Sequence, residues 1–133
     1  MRAIFHLSFP VLDMAQAVAF YRDELGASIG RQEDTFTDVL VFDAQVTLQN
    51  DPANVSSPMP RSRHFGATID WVKWEKLADK FRRSPHLCEA PKISYAGEPI
   101  EQGKLMLRDP SGNLIEIKAY RNPARVLGAI ADV

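Results

Sequence analysis

The chain has 133 residues, 45% hydrophobic and 25% charged, with 16 basic against 17 acidic side chains. That composition excludes disorder, collagen and a coiled coil, and a formal charge of −1 leaves no basic excess for a nucleic-acid backbone. No apolar run approaches the ~20 residues of a membrane span, Met1-Arg2-Ala3-Ile4-Phe5-His6 does not read as a signal peptide, and the single Cys88 fits a reducing compartment. The expectation is one cytoplasmic domain over 1–133 with a core that needs no staples.

Residues 3–9 read as a strand, with Phe5, Leu7 and Phe9 on one face and Ile4, His6 and Ser8 on the other. Asp13 is placed as a helix N-cap with Gln16 as its capping-box partner. Met14, Val18, Tyr21 and Leu25 then form one apolar helical stripe that Gly26 ends. Strand-like stretches follow at 27–32, 37–43 and 45–49, the last two parted by Asp43-Ala44. A first module, β-α-β-β-β, thus covers 3–50.

The proline- and serine-rich stretch 50–63 is a connector. The same order then restarts over 64–121. His64–Asp70 is a strand with His64, Gly66 and Thr68 on one face, and Asp70 stands at a helix start. Trp74, Leu77, Ala78 and Phe81 give a second amphipathic helix. The polar stretch 84–104 is expected to hold at most one strand, around 92–95. Strands at 104–108 and 113–120 close the module through the turn Asp109-Pro-Ser-Gly112. The tail, 122–133, carries no pattern that decides between a short helix and an extended end. The fold class expected is α+β: two βαβββ modules forming one curved sheet, helices outside and a cup inside.

Alternation gives that cup its chemistry. In the last strand Ile115, Ile117 and Ala119 belong on the helix-covered face, which leaves Leu114, Glu116, Lys118 and Tyr120 on the inner one. His6 and His64 point inward by the same rule. Two imidazoles and a carboxylate suit Fe(II), Mn(II), Ni(II), Co(II) or Zn(II), and three ligands leave positions open for substrate or dioxygen. A buried Glu116 without a cation or donors would be costly. The half-repeats place Thr47 opposite Glu116 and Gln49 opposite Lys118. Phe20, Tyr21, Trp71 and Trp74 are read as core or interface, His86 as a surface turn residue, and Cys88 as no catalytic thiol. Arg108 is placed either against an anionic substrate or in solvent, and Tyr95 over the mouth of the cup. No phosphate-binding glycine loop, nucleophile elbow or Cys-x-x-Cys motif is present.

Four stretches carry a resemblance: Phe5-His-Leu-Ser-Phe-Pro-Val11, Ala19-Phe-Tyr21 with Leu25-Gly26, His64-Phe-Gly-Ala-Thr-Ile-Asp-Trp71, and Asp109-Pro-Ser-Gly-Asn-Leu-Ile-Glu116. Through them the chain resembles the vicinal-oxygen-chelate superfamily of glyoxalases, bleomycin- and fosfomycin-resistance proteins, epimerases and extradiol dioxygenases. Together with Gly97-Glu-Pro-Ile-Glu-Gln102, the first and third are most similar to small single-domain predicted extradiol dioxygenases. The resemblance covers about residues 4–121. It implies that His6, His64 and Glu116 hold a divalent metal, Fe(II) first, with Mn(II), Ni(II) or Zn(II) as alternatives. Where glyoxalases carry a fourth, carboxylate ligand this chain has Thr47, which favours a three-ligand oxygenase over an isomerase.

The function expected from the resemblance is therefore a metal-dependent oxidoreductase that cleaves a small catechol-like ring. Tyr120, Lys118 and Gln49 are the candidate catalytic residues, the first two to donate or accept a proton and Gln49 to ligate the metal or hydrogen-bond a substrate oxygen. The alternatives are a glyoxalase- or epimerase-type lyase or isomerase, and a non-catalytic small-molecule binding protein of the resistance type. The partners expected are a small molecule and a second copy of the chain as a homodimer, with modules paired within or across subunits, and neither nucleic acid nor membrane.

Overall fold

A computed structural model describes residues 2–132. The eight strands fall into two four-stranded mixed sheets, one for each expected βαβββ module, and the chain divides into two compact units. The first unit holds residues through Pro60 together with Asp109–Asn113; the second holds Arg61–Arg108 and the segment from Leu114 onward.

In the first unit β1 (His6–Val11) leads into α1 (Met14–Leu25), followed by β2 (Ser28–Gln32), β3 (Phe36–Val41) and β4 (Ala44–Asn50). The sheet order is β1-β4-β3-β2, with β1 parallel to β4 and the other pairs antiparallel. Asp13 caps α1 by accepting the Gln16 amide at 2.9 Å, as its sequence position requires. The helix ends where Gly26 takes the left-handed conformation, φ 72°, which a side chain would resist. Its buried face is Ala17, Phe20 and Tyr21, a rotation from the expected stripe, of which Met14, Val18 and Leu25 are only half-buried. These residues cover Val39, Val41, Val46 and Leu48, each such side chain contributing roughly 1.5–3 kcal/mol by leaving water. The β3–β4 hairpin turns at Phe42-Asp43, both at φ 56°, one residue earlier than expected. The connector is irregular apart from one 3₁₀ turn at Pro52–Asn54.

The second unit repeats this topology. Its elements are β5 (His64–Thr68), α2 (Trp71–Phe81), β6 (Leu87–Ser94), β7 (Gln102–Arg108) and β8 (Leu114–Tyr120), in sheet order β5-β8-β7-β6. Asp70 caps α2 through the Lys73 amide. Trp71, Trp74, Ala78 and Phe81 pack over Leu105, Leu107, Ile115, Ile117 and Ala119, and the Trp74 indole N–H donates to the Ile117 carbonyl at 3.0 Å. The core reading of Phe20, Tyr21, Trp71 and Trp74 thus holds.

β6 is longer than the short strand expected near 92–95. Its polar composition hides it, and its register against β7 shifts between Glu89 and Lys92. It is an edge strand, where Pro91 removes no ladder hydrogen bond that the sheet needs. The tail forms a short helix, α3 (Pro123–Leu127), and then a 3₁₀ turn.

One buried network belongs wholly to the first unit. Asp109, 3% exposed, accepts from the Tyr21 hydroxyl at 2.7 Å, the backbone amides of Ser111 and Asn113, and the Asn113 side chain. Ser111 in turn accepts the Leu12 amide at 2.9 Å. Burial first, then the facing Asp109, pushes the Tyr21 hydroxyl well above its ordinary pKa, so it is a fixed donor.

Candidate metal centre

The two sheets have matching registers. Ser8 pairs with Thr47 and His6 with Gln45 across β1 and β4; Gly66 pairs with Glu116 and His64 with Leu114 across β5 and β8. His6 is therefore equivalent to His64, Thr47 to Glu116 and Gln49 to Lys118, the correspondence that the half-repeats predict.

In the second unit, β5 and β8 bring His64 and Glu116 together. His64 Nε2 lies 3.8 Å from Glu116 Oε2, and Lys118 Nζ lies 3.5 Å from Glu116 Oε1. Glu116 is 14% exposed, so its charge needs these partners or a cation. The three side chains, with Gly66 and Thr68, line a cavity of about 170 Å³. His64 Nδ1 lies 2.9 Å from the Arg61 carbonyl. A carbonyl only accepts, so Nδ1 donates there and Nε2 is the nitrogen that faces Glu116. Ligand histidines are oriented in this way, with the second ring nitrogen tied to a backbone acceptor. Two donors each about 2.0–2.2 Å from one ion lie at most about 4 Å apart, so 3.8 Å admits a shared cation.

Gly66 makes that approach feasible. A Cβ there would stand 1.8 Å from the Glu116 carbonyl oxygen. The connector also contributes: both nitrogens of the Arg61 fork bind Glu89, at 2.6 and 2.8 Å, which lowers the Glu89 pKa and anchors the segment whose carbonyl orients His64.

In the first unit His6 is held in the same way, its Nδ1 lying 3.1 Å from the Gln45 carbonyl. Thr47 is no ligand: buried, it donates to Asp38 Oδ1 at 2.7 Å. Gln49 donates to the Ser8 hydroxyl at 2.9 Å. Tyr120 is half-buried beside Lys118, whose ammonium stands 5.8 Å from its ring. His86 sits in the turn before β6 and is half-buried, Tyr95 is exposed at φ 56°, and Arg108 is exposed. The Cys88 thiol is pushed up by burial, which disfavours a thiolate nucleophile. Among the described residues no group of three or more His, Cys, Asp or Glu side chains is gathered closely enough to hold a metal ion. The structure thus joins His64 with Glu116 and presents His6 on the first unit.

Asp38 is the carboxylate that the sequence reading missed. It is 2% exposed and accepts from Arg31 Nε at 2.6 Å, from Thr47 and from Gln45, which together, Arg31 foremost, hold its pKa at about 2. A carboxylate below its usual 3.8 contributes stability that is full above that pH and is lost as pH falls toward 2, about 2 kcal/mol for a shift of this size. Asp38→Asn is expected to cost about that much at pH 7 and almost nothing near pH 2. Urea unfolding at the two pH values checks it, and an equal cost at both would show that the charge is not what stabilises.

A family model described as the Glyoxalase/Bleomycin resistance protein/Dioxygenase superfamily matches residues 3–117. Among solved structures, the chain is similar to a glyoxalase/bleomycin resistance protein/dioxygenase from Alicyclobacillus acidocaldarius, with 25% identity, TM-score 0.82, and coverage of 93% of this chain and 96% of that one. It shares the fold of a genomically encoded fosfomycin resistance protein from Listeria monocytogenes (12% identity, TM-score 0.75, 95% and 99% covered). It also shares that of a lactoylglutathione lyase from Agrobacterium tumefaciens (21% identity, TM-score 0.66, 88% and 92% covered). No curated protein matches the sequence. No helix among the described residues is long and apolar enough to cross a membrane.

Proposed function

Because the chain belongs to the glyoxalase/bleomycin resistance protein/dioxygenase superfamily, we propose that it is a divalent-metal enzyme of extradiol dioxygenase type, acting on a small catechol-like aromatic. The observation that carries this reading is the pair His64 Nε2 and Glu116 Oε2, 3.8 Å apart, with the other ring nitrogen of His64 fixed on a backbone carbonyl. His6, held in the same way on the first unit, is the third ligand of the proposed set. Two imidazoles and one carboxylate are the donor set of non-haem Fe(II) oxygenases, and Mn(II) accepts the same ligands.

When bound, the ion would supply a Lewis-acidic centre with open positions for the diol and for dioxygen. This chain's own groups do the rest. Glu116, which stands between His64 and Lys118, would turn from an ion pair to a ligand. Lys118 and Tyr120, two and four residues along the same strand face, would exchange a proton with a substrate hydroxyl. Gln49, whose amide donates to the Ser8 hydroxyl, would hydrogen-bond a substrate oxygen. The position equivalent to Glu116 holds Thr47, already committed to Asp38, so no fourth carboxylate ligand is offered there. That speaks for the oxygenase over the lyase or isomerase reading.

Ring cleavage consumes one dioxygen per aromatic, with both oxygen atoms entering the product and no external reductant. Oxygen uptake by Fe(II)-loaded protein on a catechol panel tests this. Uptake matched one-to-one by ring-opened product supports the proposal; metal binding with no uptake on any catechol, alongside turnover of a thiohemiacetal, would replace it by the lyase reading.

A further inference from the structure

The strand registers line up a row of side chains across the second sheet. Thr68 stands opposite Lys118, Lys118 opposite Lys104, and Lys104 opposite Lys92, one residue from each of β5, β8, β7 and β6. Directly paired residues share a face, and this face is the one that carries Glu116, away from α2. The register shift in β6 is what brings Lys92 into the row: Glu89 and Lys92 are three apart, yet they pair with Met106 and Lys104, which are two apart.

Like charges directly opposite on adjacent strands are destabilising, and little on this face compensates them. Glu116 lies within 4 Å of Lys118 and is shared with His64. Glu89 is taken by both arms of Arg61, and the Lys104 charge also acts on it, without a direct ion pair. Among the described residues Lys104 makes no ion pair, although it is half-buried. A metal on Glu116 would leave Lys118 without its carboxylate as well.

We propose that Lys104 and Lys118, with Thr68 opposite Lys118, hold an anionic group of the substrate, so that the substrate is a small molecule bearing a carboxylate or phosphate oxyanion. The proposal rests on reading this face as the substrate side of the metal centre and narrows the substrate class from any catechol-like aromatic to an anionic one. Two ammonium groups on neighbouring strands would supply charge-assisted donors to such a group.

The test uses metal-free full-length protein labelled at the lysine Cε, titrated at constant ionic strength with benzoate, phenyl phosphate and, as the neutral control, benzamide. Benzoate or phenyl phosphate should shift the Lys104 and Lys118 signals saturably and benzamide should not; the tighter of the two anions identifies the group. Lys104→Met and Lys118→Met should each weaken anion binding about tenfold or more, while Lys104→Arg, which keeps the charge, should retain it. Anion binding unchanged in both Met variants, or shifts no larger than chloride gives, would overturn the proposal. Failure of the wild type to bind metal, with anion binding intact, would instead sink the metal reading alone.

Discussion

Gly66→Ala should cost about 2–4 kcal/mol of stability and weaken divalent-metal binding about 10- to 100-fold. The added Cβ would lie 1.8 Å from the Glu116 carbonyl oxygen and under 3 Å from its carbon and nitrogen. The obstacle is backbone, not the end of a flexible side chain, so β5 has to move away from β8. His64 and Glu116 sit on those two strands and would separate with them. The equivalent position in the first sheet is Ser8, which carries a side chain opposite Thr47. The glycine is thus a requirement of this strand pair and not of the topology. Thermal unfolding and metal titration read the two effects separately. A variant as stable as wild type with metal affinity intact would show that β5 and β8 adjust without disturbing the site.

Asp109→Ala should be the most damaging substitution outside the site, at about 3–5 kcal/mol, against a total of about 5–15 kcal/mol for a domain. It leaves a buried tyrosine hydroxyl, two backbone amides and one side-chain amide without their acceptor. Tyr21→Phe removes only one donor from a carboxylate that keeps three, so about 1–2 kcal/mol is expected. Urea unfolding of both variants orders them. A Tyr21→Phe loss as large as that of Asp109→Ala would place the energy in the tyrosine and not in the turn.

Much of this was legible in the sequence. The element order, both N-caps and the His6–His64 and Thr47–Glu116 equivalences follow from a repeated pattern of alternation. The local chemistry of Asp13, Gly26 and Asp70 agrees with the tertiary fold, so propensity and packing point the same way. Asp38 stayed hidden because the hairpin was placed around Asp43-Ala44. With the turn at Phe42-Asp43, Asp38 falls opposite Thr47. The row of lysines was hidden for a related reason: it depends on a register shift in a polar edge strand, which residue types alone do not announce. The meeting of Arg61 with Glu89 joins a connector to that same strand and has no periodic signal.

The proposed roles of His64 and Glu116 as metal ligands are checked by elemental analysis of protein purified without oxygen and loaded with Fe(II) or Mn(II), beside the His64→Ala variant. About one ion per chain is expected in the wild type, with a Kd low enough to survive gel filtration, and its loss from a variant that remains folded. Equal metal in the two proteins, or none in either after reconstitution, would contradict those roles.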